Sequence, residues 1–262
     1  MLTNQAILAK YLYGNTSSNS TGSSSTDILA KVSKVMESRN TMAPKLNAAL
    51  ASDNTKLSAL GKLLNGLTTF QSTAQSLSAT ASATTLDSSK LKDQITGLVD
   101  GYNALNTTLT GLRKGDLKSD VALAGVRSQL SGVLSASQGG TSGLSLTSIG
   151  ITAQADGTLA VDAKKLQSAI AANPSGVAKL FANDGKGIAE SLTASIKSMV
   201  SSSGSIEKEK SALNKDIASL NTKRSALEKS LTAQAQALVK LYSTQGTTSQ
   251  SATSSTLFDA LS

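Results

Sequence analysis

Lys164-Lys165, Lys223-Arg224 and Gly185-Lys186-Gly187 are the stretches whose residue types could do chemistry, and each is incomplete. A phosphate-binding loop needs a longer glycine-rich run closed by Lys-Ser or Lys-Thr, and Gly185-Lys186-Gly187 lacks that pattern. The chain has no His and no Cys. That removes imidazole acid–base catalysis, thiolate nucleophiles, disulfides and the usual zinc and iron–sulfur ligand sets. Ser and Lys abound without a paired base, and the carboxylates are scattered, so the chain does not read as an enzyme and no cofactor or metal is expected. The formal charge of +8 raises nucleic-acid and anionic-membrane binding. The basic residues are dispersed, however, and no basic run is interleaved with aromatics to make a stacking platform. Neither nucleic acid nor membrane is therefore expected as a partner.

What the chain must position is packing surface. With three Phe, four Tyr and no Trp, it lacks the aromatic anchors of an ordinary core. Leu, Ile, Val and Ala are expected to bury along helix seams, and two Pro in the whole chain favour long helices. No segment is long and apolar enough to span a membrane. The start, MLTNQAILAKYLYGNTSSNS, has a short apolar patch without a basic region before it and makes a poor secretory signal. The protein is expected to stay inside or to leave by a route that reads no cleavable signal.

The fold class is mainly α: long terminal helices forming a coiled-coil or bundle domain, plus a helical inner domain with one small β-hairpin. Residues 1–26 are Ser/Thr-rich and polar and are expected to be disordered. A helical pattern begins at Asp27, and Pro44 predicts a bend or a fresh helix start. Leu46, Leu50, Leu57, Leu60, Leu64, Leu67 and Ala74 then follow coiled-coil spacing. After a polar break at 78–89, a helix is expected over about 90–112. Asp120 is expected to cap the next, which carries Val126 and Leu130. Another runs over about 187–201. From Ile206 a heptad seam continues through Lys210, Leu213, Ile217, Leu220, Arg224, Leu227, Leu231, Gln234, Leu238 and Leu241. The expected partner of 206–241 is 46–74, antiparallel, with Lys210, Arg224 and Gln234 setting the register.

The terminal coiled-coil domain is thus 27–78 with 205–242, the inner domain is 90–204 with its hairpin at 149–161, and 243–262 is a flexible tail. In the hairpin, Ile149, Ile151 and Ala153 alternate with polar or small residues, as do Leu159 and Val161, around Asp156-Gly157, a tight-turn pair. Asp162 predicts an N-cap for a helix over about 163–171. Asn173-Pro174 repeats the device, with proline at the first helical position. The expected inner core is Tyr102, Leu105, Val126, Leu130, Ile151, Leu159, Val161, Leu180 and Phe181. Ile7, Leu8, Tyr11 and Leu12 at one end, and Leu257, Phe258 and Leu261 at the other, are candidate partner-docking residues.

SLTSIGITAQADGTLAVDAKKLQSAIAANPSGVAKLF resembles the C-terminal signature of the flagellar filament cap family, also called hook-associated protein 2: Ile-Gly-Ile, Asp-Gly-Thr-Leu, a capped helix, Asn-Pro-x-x-Val, then Leu-Phe. VDGYNALNTTLTGL resembles the family's Tyr-Asn helix, and SDVALAGVRSQLSGVLSA the helix after it. The stretch 27–71, with its Ala-Pro step and Lys-Leu-Ser-Ala-Leu-Gly, resembles the N-terminal helix region. The order is kept over about 27–245. One departure stands out: the family's large β-rich insertion is absent between N-terminal and Tyr-Asn helices, so this resembles a minimal cap, and any adhesive role of the missing domains is not carried over. The resemblance implies a non-enzymatic ring at the distal tip of the bacterial flagellar filament, outside the cell, exported without a cleavable signal. There it would promote flagellin folding and insertion. Its implied partners are itself, flagellin, a hook-associated junction protein and a cytoplasmic export chaperone. The alternatives are another flagellar axial protein, flagellin-like or from the hook–filament junction, and a generic coiled-coil assembly protein.

Overall fold

The structure, a computed structural model, describes residues 24–115, 117, 118, 120–136 and 144–245. Among them the order is α1 (Ser24–Ala81), α2 (Ser88–Lys114), α3 (Val121–Ala136), β1 (Ile151–Ala153), β2 (Leu159–Val161), α4 (Ala163–Ala172), α5 (Pro174–Phe181), α6 (Ile188–Val200) and α7 (Ser205–Gln245). The chain is mainly α, with one antiparallel hairpin pairing Ile151 with Val161 and Ala153 with Leu159.

Several boundaries differ from those expected. α1 begins at Ser24, so 24–26 are helical; Ser-Ser-Thr-Asp is ordinary first-turn composition. α7 reaches Gln245, because no breaker precedes Gly246, so 243–245 are helical as well. α1 also runs through Pro44 without a break. An interior proline removes one helical hydrogen bond and crowds the carbonyl four residues back, at a cost of about 3 kcal/mol. Asn40 and Pro44 are both exposed, so water can take up the freed carbonyl and the flanking turns carry the helix through.

The chain divides into two compact units: Met1–Ala51 with Ala218–Ser262, and Ser52–Ile217. This division lies well inside the expected limits of 78 and 205. The second unit holds a continuous apolar core that includes Leu60, Leu67, Phe70 and Leu77 of α1, Leu91, Ile95 and Leu105 of α2, Phe181 of α5 and Ile206 and Leu213 of α7. In it, α1 and α2 form an antiparallel helical hairpin joined by 82–87. Three close approaches give the pairing: Thr73 lies against Gly97, Phe70 against Gly101, and Leu105 against Gly66. The Phe70 and Tyr102 rings sit 6.1 Å apart at 60°, a tilted aromatic contact. Gly66, Phe70 and Thr73 thus meet α2, a packing partner that the expected pairing of 46–74 with 206–241 did not include. A leucine pattern marks which face of a helix is buried; the short link at 82–87 determines that α2 reaches that face. α2 also packs on β2, α3 and α4, α3 on α6, and α5 bridges α4 and α6.

Candidate functional site

Asp87 starts α2 by accepting at Oδ1 from the N–H groups of Ser89, at 2.9 Å, and Lys90, at 3.0 Å. The helix then brings Tyr102, Asn103 and Asn106 to the core unit's central junction. Tyr102 turns to Phe70 of α1. Burial raises its phenol pKa, while the Arg127 guanidinium pulls it down. Asn103 reaches the hairpin: Nδ2 donates to the Leu159 carbonyl at 2.9 Å, and Oδ1 accepts the Leu159 N–H at 2.8 Å. One amide thereby fills both backbone positions that β2 presents at that residue, as a neighbouring strand would. Asn106 is 7 % exposed and donates to the Asp156 carbonyl over 3.5 Å, a long bond. Three positions of one helix turn thus tie α1, β2 and the hairpin turn to α2.

The hairpin turn is a three-residue loop, 155–157. Gln154 donates to the Thr158 carbonyl at 2.8 Å, and Gly157 donates back to Gln154 at 3.0 Å. Gly157 takes φ +83°, so the positive φ expected at Asp-Gly falls on the glycine; Asp156 is not among the positive-φ residues. Asp156 Oδ1 instead accepts the Thr158 hydroxyl at 2.6 Å and the Thr158 N–H at 2.9 Å, and these bonds lower its pKa. This accounts for Asp-Gly-Thr. Ile-Gly-Ile has its own reason. Gly150 sits at φ +91°, and a Cβ there would meet the Asp162 carbonyl oxygen and Lys165 Cβ at 3.0 Å. Asp162 caps α4 through Lys164 and Lys165, and Lys165 Nζ donates to the Thr147 carbonyl at 2.9 Å.

Asn173 caps α5 by accepting from Gly176 at 2.8 Å, with Pro174 at the first helical position. Beyond it, Glu190 Oε2 accepts three backbone N–H groups, from Asn183 at 2.8 Å, Gly185 at 2.9 Å and Gly187 at 3.0 Å. The two glycine amides of Gly-Lys-Gly are therefore held by the chain's own carboxylate, and the Lys186 N–H donates to the Asn183 carbonyl at 2.9 Å. Among the described residues no three of His, Cys, Asp and Glu group to hold a metal ion, and no helix is long and apolar enough to cross a membrane.

Of the expected inner core, Leu105, Val126, Leu130, Ile151, Leu180 and Phe181 are buried, while Tyr102, Leu159 and Val161 pack half-buried at its edge. The seam residues separate. Leu60, Leu67, Ile206 and Leu213 are buried and Leu57, Leu64 and Ile217 half-buried in the core unit. In the terminal unit Leu50 is buried, and Leu46, Leu220, Leu227 and Leu231 are half-buried. Lys210 bonds Glu207 at 3.3 Å, Arg224 lies 3.9 Å from Glu228, and Gln234 donates to Ser230 at 3.1 Å. The partners found for these polar seam positions among the described residues lie on their own helix. The side chains of Leu238 and Leu241 lie outside the described residues, as do Ile7, Leu8, Tyr11, Leu12, Leu257, Phe258 and Leu261.

Sequence reasoning did not single out the bonds of Asn103 and Asn106, which reach backbone 50 or more residues away and leave no periodic trace, nor the local bonds of Glu190 to the 183–187 loop. Phe70 lay on the helical face but was not singled out.

The family model described as flagellar hook-associated protein 2 C-terminus matches residues 47–252. The B-type flagellar hook-associated protein 2 of Pseudomonas aeruginosa is 31% identical over 159 residues, covering 56% of this chain and 33% of that protein. The lateral flagellar hook-associated protein 2 of Vibrio parahaemolyticus is 30% identical over 152 residues, covering 55% and 33%. This chain thus spans a third of the length of these relatives. A crystal structure of the flagellar cap protein FliD D1-D2-D3 domains from Escherichia coli is similar at 35% identity and a TM-score of 0.46, covering 49% of this chain and 37% of that one.

Proposed function

The chain belongs to the flagellar hook-associated protein 2 family, and from that premise we propose that it is a structural, non-enzymatic cap at the distal tip of the bacterial flagellar filament. The observation that carries this reading is the extent of the family match, residues 47–252, which takes in the α1–α2 hairpin, the β-hairpin module and α7. A residue-level feature supports it: Asn103 ties α2 to the hairpin as a packing contact, and the carboxylates of Asp87, Asp162 and Glu190 serve caps and loops. Residues 82–87 alone join α1 to α2, in keeping with a minimal cap.

In this proposal the ends of α1 and α7 form the terminal coiled-coil domain, and the β-hairpin module anchors the inner domain. The chain closes into a homo-oligomeric ring, promotes flagellin folding and insertion, and sits on a hook-associated junction protein before filament growth. It leaves the cell through the flagellar export route without a cleavable signal, held beforehand by a cytoplasmic chaperone. Ile7, Leu8, Tyr11, Leu12, Leu257, Phe258 and Leu261 are proposed docking positions for these partners.

Electron micrographs of the purified chain test the assembly mode. Closed or stacked rings are expected. Heterologous contacts that fail to close make open filaments, and long filaments would favour an axial protein of another kind.

A further inference from the structure

We propose that residues 37–44 of α1 form a hinge. Two independent features soften the helix there. Pro44 has no N–H, so the Asn40 carbonyl loses its helical donor and is pushed aside by the ring. One turn earlier, the Thr41 hydroxyl donates to the Glu37 carbonyl at 2.9 Å and to the Ser38 carbonyl at 3.3 Å. A hydroxyl bonded back in this way competes with the backbone donor and bends helices.

Both features fall on one side. Glu37, Asn40, Thr41 and Pro44 are all exposed, and at 100° per residue they share a single face. The opposite face carries the half-buried Val35, Met36, Ala43 and Leu46. Weakened bonds on the outer face let that side lengthen, so the helix flexes toward its apolar side. Back-bonding hydroxyls recur in α1 at Ser58, Thr68 and Ser72. There the chain has no proline, and α2 braces the helix through Phe70 and Gly66. Around Pro44 the apolar face is only half-covered, so little opposes bending. The hinge gives the first turns of α1 a variable direction without loss of helical hydrogen bonds on either side.

Double electron–electron resonance on the full chain tests this. The chain has no cysteine, so Ser33→Cys with Ala51→Cys labels two exposed positions alone. A straight helix places them roughly 27 Å apart on the same face, at ~1.5 Å per residue. The expected distance distribution is broad and reaches above that value, because both labels sit on the face that lengthens. Pro44→Ala should collapse it to a narrow peak near the straight-helix distance, and Thr41→Ala should narrow it in part. A distribution that Pro44→Ala leaves unchanged, whether broad or narrow, would overturn the hinge.

Discussion

The side-chain amide of Asn103 meets the backbone of Leu159 twice, donating at 2.9 Å and accepting at 2.8 Å, across a sequence separation of 56 residues. A two-stranded hairpin alone is marginally stable in water. The amide gives β2 a third partner and fixes the hairpin on α2. Asn103→Ala removes both bonds while Leu159 stays half-buried, so it should destabilise the chain by about 1–3 kcal/mol. Urea unfolding measures this, and an unchanged midpoint would show that water replaces the amide without loss.

Two glycines should respond with opposite signs to alanine. Gly150→Ala forces a side chain into φ +91° and against Asp162 and Lys165, and should cost about 1–2 kcal/mol or more. Gly61 lies exposed in α1 with open space where a Cβ would sit, so Gly61→Ala should stabilise by roughly 0.5–1 kcal/mol. Paired thermal melts decide it; shifts of the same sign would contradict this reading of the backbone.

Phe181 is fully buried at the end of α5. Phe181→Ala should cost about 3–5 kcal/mol through lost burial and the cavity left behind. A melt with unchanged midpoint would make the module peripheral to the core.

Caps, the Asp-Gly turn and the apolar faces were legible because each depends on neighbours a few residues away. Asp162, Asn173-Pro174 and Gly157 carry their geometry locally. The identity of a helix's partner was not legible in this way. Leu60 and Leu67 follow the same spacing as Leu46 and Leu50, yet the first pair buries with α2 in one unit and the second pair belongs to the other. Likewise Pro44 predicts a bend or a fresh helix start; no fresh start occurs, because the bonds of the turns on both sides outweigh one lost donor. Asn103 stands in the quoted Tyr-Asn helix, but its target, the Leu159 backbone, is 56 residues away, and side-chain type alone does not name it.

Asp156 gives a pH dependence of known sign. Its pKa is lowered in the folded chain by the Thr158 hydroxyl and N–H. A depressed carboxyl contributes stability that is present above its unfolded value, about 3.9 for Asp, and lost as pH falls through the folded value. Thr158→Val removes the hydroxyl bond. Its stability deficit relative to the wild type should therefore be largest near neutrality and shrink below pH ~4. A deficit that grows toward acid would reverse the assignment.

The cap role proposed for this chain is tested by the fate of flagellin when the gene is deleted in its source bacterium. Flagellin monomer in the medium and few or no filaments are expected, with growth restored by the intact chain supplied in trans. Filaments of normal length in the deletion strain would contradict it.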